Sequence, residues 1–247
     1  MRVIVLAASP SDDYQSIGSF YPKNLFEIRE KPLIQYVIES LSSLRANKAS
    51  FIFMISAKED QVYHTGRVIK LLDQSADIVT VHNSTSGALC TALLAVDHIK
   101  HDEELVIING DIIIDDNLSD IIQSFRESNS EAGVITFESV HPRWSYVKLD
   151  QDDLVIEAAE KKPISKNALT GFFWFSRGQN FLQAAESTII KNSSLNDVFY
   201  ISPVLNDLVL KQAKIRIYQI DKSRYHSLKQ PSDALAWEQS LTAQQMK

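Results

Sequence analysis

Arg2-Val3-Ile4-Val5-Leu6-Ala7 is an apolar run that passes into a polar stretch, Ala8-Ser9-Pro10-Ser11-Asp12-Asp13-Tyr14-Gln15-Ser16-Ile17-Gly18-Ser19-Phe20, which ends at Tyr21-Pro22-Lys23. The run reads as a strand and the stretch as a loop. A strand that opens into a loop at a sheet edge and soon delivers a lysine is a common way to hold phosphates. The chemistry of the loop conflicts with that placement. From Ala8 to Ile17 it has no glycine to bring backbone N–H groups close to a phosphate and no basic side chain to offset its charge.

The segments that follow alternate strand and helix. Leu33, Ile34, Val37, Ile38, Leu41 and Leu44 recur at helical spacing and predict a helix over 31–44. Next come a strand at 50–55, a helix near 60–72, a strand at 78–81 and a helix near 87–99. Leu105-Val106-Ile107-Ile108 is a continuous apolar strand ending at Asn109-Gly110-Asp111. Runs of this kind suit strands buried on both faces of a parallel sheet, and strands separated by helices imply βαβ units. After about residue 132 the pattern changes, with strands at 132–137, 145–149, 154–158 and 169–175 and little helix between them. Asp150-Gln151-Asp152-Asp153 reads as a tight turn between two of these. Helices return near 181–190 and 201–210, then a strand at 215–220 and a last helix from Pro231, a residue suited to a first helical position. No linker or repeat divides the chain. The reading is one α/β domain over 1–247, a mixed but mainly parallel sheet flanked by helices. Its second half (132–247) adds a small β-rich lid to the first (1–131) at the sheet's carboxyl edge, where open α/β sheets bind ligands.

Composition sets the outer bounds. At 247 residues, with 45% hydrophobic and 23% charged residues, the chain can bury a full core. A net charge of −6 excludes duplex nucleic acid as the main partner but leaves room for a local basic pocket. Cys90 is the only cysteine, so there is no intrachain disulfide and no cysteine metal site, and its apolar neighbours place it in the core. No stretch approaches the roughly 18 apolar residues of a membrane span, and no secretory signal is seen, so the cytoplasm is the expected location.

Three further segments hold chemistry. Asp111 follows the most apolar strand and is either a hard oxygen ligand for Mg²⁺ beside phosphates or part of a polar turn, Asn-Gly-Asp being good at both. Glu160-Lys161-Lys162-Pro163 is either a site for substrate hydroxyls and phosphate or a solvated turn. His141-Pro142-Arg143-Trp144-Ser145-Tyr146 is either a substrate wall or strand packing. There is no Ser-His-Asp arrangement, intact P-loop or zinc site.

Taken together these segments resemble the sugar-phosphate nucleotidyltransferase superfamily, with a Rossmann-like (GT-A-like) fold. Pro22-Lys23, Leu25, Ile28 and Lys31-Pro32-Leu33-Ile34 are similar to its amino-terminal signature. Gly87-Ala88 resembles its second loop, Asp111 its metal aspartate, Glu160-Lys161 with Pro163 its substrate motif, and Gly171 the glycine that follows. Runs resembling residues 141–150, Phe199-Tyr200-Ile201-Ser202-Pro203 and Tyr225-His226-Ser227 occur in a capsule-locus branch. The resemblance covers essentially the whole chain. It implies in-line attack of a phosphorylated metabolite on the α-phosphate of an NTP, with CTP or UTP favoured, to give a nucleoside diphosphate product and pyrophosphate. Mg²⁺ is the implied cofactor, with Asp111 as its ligand. The nucleotide is implied in the first half, at Ala7, Ala8, Ser9, Lys23, Gly87 and Ala88, and the phosphorylated substrate in the second, under its lid, at Trp144, Tyr146, Glu160, Lys161 and Gly171. Lys23, Asp111 and Lys161 are the implied catalytic set. A homodimer is a further expectation, with the late β-rich segment and the helix around Trp237 as candidate contact surfaces, although core packing explains both equally well.

The chain departs from the family pattern at the loop. Where the family has glycines and an arginine, Ser9, Ser11, Asp12 and Asp13 stand here, Ser227 occupies the place of a second metal carboxylate, and Val198 that of a branch glutamate. Two readings follow. In the first, the chain is an active nucleotidyltransferase in which Asp12 or Asp13 joins Asp111 at the metal. In the second, it is a catalytically impaired relative that binds nucleotide, sugar phosphate or a pathway partner.

Overall fold

A computed structural model describes residues 1–245. Along the chain, β1 (Arg2–Ala7) leads through α1 (Asp12–Ser16) and a single 3₁₀ turn to a two-residue hairpin, β2 (Glu27–Ile28) and β3 (Lys31–Pro32). There follow α2 (Leu33–Ser40), α3 (Ser42–Ala46), β4 (Ser50–Ser56), α4 (Ala57–Tyr63), α5 (Thr65–Leu72), β5 (Asp77–Val81), α6 (Ala88–Leu93), β6 (Leu105–Asn109), β7 (Ile112–Ile114) and α7 (Leu118–Glu127). The remainder is β8 (Ala132–Glu138), β9 (Tyr146–Leu149), β10 (Val155–Ala159), β11 (Asn167–Phe175), α8 (Gly178–Ile190), α9 (Val204–Leu210), β12 (Ile215–Ile220), β13 (Tyr225–Ser227) and α10 (Pro231–Gln245).

Among the described residues nine strands form one sheet, in the order β10-β9-β11-β6-β1-β4-β5, with β8 also paired to β11 and β12 paired to β8. β1 is central and parallel to both β4 and β6, and β5 extends the parallel part. Alternation along β1 divides the core in two. Val3, Val5 and Ala7 pack under α2, α5, α7 and α10, while Ile4 and Leu6 pack under α6, α8 and α9. Both faces are therefore covered, which explains the continuous apolar runs.

β11 is antiparallel to its neighbours and changes partner along its length. Asn167–Ala168 pair with β9, whereas Phe172–Phe175 pair with β6. Between them the sheet forks, and the gap opens beside the carboxyl end of β6. The strand order reverses between β1 and β6, the kind of topological switch at which α/β sheets bind ligands, and the fork adjoins it. The late strands thus continue the main sheet, with β9 and β10 forming its edge beyond the fork.

Several elements differ from the sequence reading. The helix expected over 31–44 starts at Leu33, because Lys31-Pro32 pairs with Glu27-Ile28, and it is interrupted at Leu41. The helix expected near 60–72 is two helices hinged at His64, whose φ of 57° is left-handed. The stretch 8–20 is not all loop, since Asp12–Ser16 form a helical turn around a fully buried Tyr14. Cys90 is half-buried rather than core, because Leu89 and Ala92 take the inward positions of α6. Trp237 is buried against Tyr36, 4.9 Å between ring centroids, and is therefore packed inside the fold instead of forming a contact surface. Among the described residues no helix is long and apolar enough to cross a membrane.

Candidate active site

At the fork lies a cleft of about 350 Å³ lined by Leu169, Thr170 and Gly171 of β11, Asn109 and Asp111 after β6, and residues from segments 143–145, 160–161, 200–202 and 225–233. Backbone geometry delivers Asp111 there. Gly110 donates its N–H to the Leu6 carbonyl at 2.9 Å, so close to β1 that a Cβ would lie 2.8 Å from Ala7. On its far side Asp111 accepts the Leu228 N–H at 2.7 Å, which ties it to the strand pair β7–β13. Gly171 has φ of 97°, and a Cβ there would meet the Asn109 amide at 2.4 Å. A side chain at 171 would therefore push Asn109 out of its place.

The opposite wall is built by the β9–β10 pair. Tyr146 faces Ala159 in register, which sets Ser145 opposite Glu160 just beyond the pair. Glu160 accepts through Oε2 from Ser145 Oγ at 2.5 Å and Ser202 Oγ at 2.6 Å. Lys161 has left-handed backbone (φ 53°), and its ammonium lies 5.2 Å from the centre of the Tyr200 ring. Interaction with Tyr200 raises the Lys161 pKa against a smaller lowering by partial burial, and the charge of Glu160 adds least. Arg143 stacks 4.2 Å over Trp144 and lies 3.8 Å from Asp233. Burial, followed by the Asp111 charge, drives the Tyr225 pKa far up, so its hydroxyl stays neutral.

Behind Asp111 and outside the cleft lining lies Lys23, which is 2% exposed. Its Nζ donates to Asp111 Oδ2 at 2.7 Å and to Ser9 Oγ at 2.5 Å. The stretch 8–20 satisfies itself around this lysine. Ser11 Oγ accepts the Lys23 N–H at 3.1 Å, and Asp13 accepts from Gln230 at 3.0 Å. Tyr14 donates its hydroxyl to the Leu228 carbonyl at 2.6 Å. Burial first, and the Asp111 and Asp233 charges next, raise the Tyr14 pKa. Behind Lys23, Asn24 bridges the Ala7 carbonyl (2.8 Å) and Glu59 (2.9 Å), and Glu59 also accepts from Thr65. Burial raises the Glu59 pKa against those two hydrogen bonds.

The residues singled out from sequence are thus only partly gathered. Asp111, Trp144, Glu160, Lys161, Gly171 and Ala88 line the cleft. Lys23 and Ser9 reach it only through Asp111. Ala7, Ala8 and Gly87 stand outside its lining, and Ala7 is buried with its carbonyl held by Asn24. Gly87 is required by the fold itself. Its φ is 121°, and a Cβ would lie 2.4 Å from the Phe199 carbonyl oxygen, so the chain's own backbone occupies that side. Tyr146 is fully buried with its hydroxyl given to the His141 carbonyl, so it packs within the fold and Ser145 faces the cleft in its stead. Period-2 alternation from Trp144 would have put Tyr146 on the cleft side, so the sequence pattern does not reveal this inversion. Asp13 is turned to Gln230, and among the described residues no cluster of three His, Cys, Asp or Glu side chains forms a metal site. The donor set at Asp111 nonetheless fits Mg²⁺, an ion often held by one carboxylate with substrate phosphates and water completing the shell. Oδ1 of Asp111 accepts no hydrogen bond among the described residues.

A mainly parallel sheet flanked by helices, with a polar cleft at its carboxyl edge lined by Asp111 and backed by the buried Lys23, defines a Rossmann-like α/β protein with a charged ligand cleft. Residues 16–202 match the family model described as Nucleotidyl transferase, and the chain belongs to that family of enzymes. It is 26% identical over 185 residues to the UTP–glucose-1-phosphate uridylyltransferase AglF of Haloferax volcanii, covering 71% of this chain and 72% of that protein. It is 24% identical over 226 residues to the bifunctional protein GlmU of Methanocaldococcus jannaschii, covering 91% of this chain but only 52% of GlmU. The nucleoside-diphosphate-sugar pyrophosphorylase of Vibrio cholerae RC9 has the same fold, with TM-score 0.83 and 22% identity over 97% of this chain and 100% of that one.

Proposed function

We propose that the chain joins an NTP to a sugar phosphate or similar small phosphorylated metabolite, releasing pyrophosphate, in the cytoplasmic synthesis of capsule or surface polysaccharide precursors. The observation that supports this most is the convergence of Asp111, Glu160, Lys161 and Gly171 on one cleft at the carboxyl edge of β6. In this reading residues 1–131 hold the nucleotide and 132–247 the acceptor substrate, within a single domain. Glu160 accepts a hydrogen bond from the acceptor and Lys161 neutralises its phosphate, so that the nucleophilic oxygen is aligned in the cleft. Bound beside Asp111, Mg²⁺ supplies charge neutralisation to the phosphates. Lys23, paired with Asp111 at 2.7 Å, stands behind the phosphate site in this reading. No covalent intermediate with the enzyme is needed.

UTP or CTP is the favoured donor, and the homodimer remains part of the reading. A donor panel tests it: wild-type protein with glucose 1-phosphate and Mg²⁺ forms a nucleoside diphosphate-sugar, resolved by mass, with UTP or CTP in preference to ATP and GTP. A purine product alone contradicts the pyrimidine preference.

A further inference from the structure

Glu160 is gripped from two sides by segments distant in sequence, and the grip follows from register. Ser145 stands opposite Glu160 at the end of the β9–β10 ladder. The second contact is set by α9. The Asn206 side chain binds both backbone groups of Ala158, accepting its N–H at 2.7 Å and donating to its carbonyl at 2.9 Å. One helical turn before Asn206 is Ser202, and two residues beyond Ala158 on the same side of the strand is Glu160. The Asn206 staple therefore indexes Ser202 onto the carboxylate. Two residues earlier, Tyr200 packs against the Lys161 ammonium, so segment 200–202 holds both members of the Glu160-Lys161 pair.

Each serine spends its only hydroxyl proton on the same oxygen, Oε2. Oε1 accepts nothing among the described residues, while Glu160 lines the cleft. Ser202 is 2% exposed, so this is a buried device and not a surface contact. A carboxylate has acceptor sites on both oxygens and rotates freely unless one is fixed. With Oε2 fixed, Oε1 is a directed acceptor that needs a donor group on its ligand.

We infer that Ser145 and Ser202 are positioning residues of the acceptor-substrate site, holding Glu160 so that Oε1 receives a hydroxyl hydrogen bond from the phosphorylated substrate. The inference rests on the sugar-phosphate reading above. It adds a specificity rule: an acceptor lacking the hydroxyl that meets Oε1 binds poorly, because the oxygen is then left without a partner.

The test is isothermal calorimetry with glucose 1-phosphate and a panel of other hexose 1-phosphates, on wild-type protein, Ser145→Ala, Ser202→Ala and their double variant, each also in a Glu160→Gln background. Each alanine is expected to weaken the best-bound hexose 1-phosphate by roughly tenfold, the scale of one hydrogen bond to a charged group. In the Glu160→Gln background it has little further effect. Ser145→Thr restores binding, and in turnover the KM for the sugar phosphate rises while that for the NTP stays constant. Unchanged affinity in the double variant, or alanine effects that add in full to Glu160→Gln, overturns the positioning role. Failure of wild-type protein to bind any hexose 1-phosphate overturns the sugar-phosphate reading instead, and this inference with it.

Discussion

Lys23 is the residue on which the site turns. An ammonium with 2% exposure is tolerated because Asp111 lies 2.7 Å away. Asp111→Asn should therefore cost stability as well as turnover, by about 3–5 kcal/mol in denaturant unfolding, because it leaves a buried charge without its counter-charge. The double variant Lys23→Met/Asp111→Asn should recover most of that loss, since removing both charges of a buried pair is often nearly neutral. Recovery of stability without recovery of activity would separate the pair's structural part from its chemical part. Glu59 behaves in the opposite sense. Burial raises its folded pKa above the ordinary 4.5, so the folded protein binds more protons than the unfolded chain in that window. Stability contributed by the neutral form is fully present below 4.5 and declines as pH rises through the raised value. Glu59→Gln keeps the acceptor oxygen for Asn24 and Thr65, and it should melt higher than wild type at pH 7 and equally at pH 4. A melting difference that is the same at both pH values would contradict the assignment.

Among elements, α1 anchors the stretch between β1 and Lys23. Tyr14 is fully buried against Phe26, 4.9 Å between ring centroids, and gives its hydroxyl to Leu228. Tyr14→Phe should lose about 1 kcal/mol by chemical denaturation, the net value of one hydrogen bond, and Tyr14→Ala about 3–5 kcal/mol. Similar small losses for both would mean that the stretch is not anchored as described. Gly87→Ala has a different cause: the added Cβ meets the Phe199 backbone, and the left-handed φ is strained as well, so α6 should separate from residues 199–200. Limited proteolysis near residue 85 should accelerate in that variant while the β1–β4 core stays protected in hydrogen exchange. The strands were legible in the sequence because a sheet covered on both faces imposes long apolar runs, and all nine strands of the main sheet match to within two residues. α1 was not legible. Its single inward residue, Tyr14, sits among polar neighbours, and one residue makes no period. The break at His64 was hidden too, because its left-handed turn uses neither glycine nor proline.

For the whole molecule, the cleft depends on where the sheet forks. That fork places Asp111 from the parallel half opposite Glu160 from the antiparallel half, and neither half forms the site alone. Sequence motifs identified both acids and Lys161. They did not show that Ser145 and Ser202 meet at Glu160, because those contacts span 15 and 42 residues and follow only from strand register and helix docking. Nor did they show Lys23 closed onto Asp111, since the separation of 88 residues is bridged only by the packing of β1 against β6. Chelation of divalent cations should abolish turnover while leaving the melting temperature of the free protein within a degree or so, because Asp111 is already paired with Lys23.

Nucleotidyl transfer at this cleft would show itself as pyrophosphate release. With UTP or CTP, a hexose 1-phosphate and Mg²⁺, wild-type protein should release pyrophosphate only when both substrates are present, and Asp111→Asn should reduce the rate by at least about a hundredfold. Absence of release with every NTP and every hexose 1-phosphate, or release undiminished in Asp111→Asn, would contradict it.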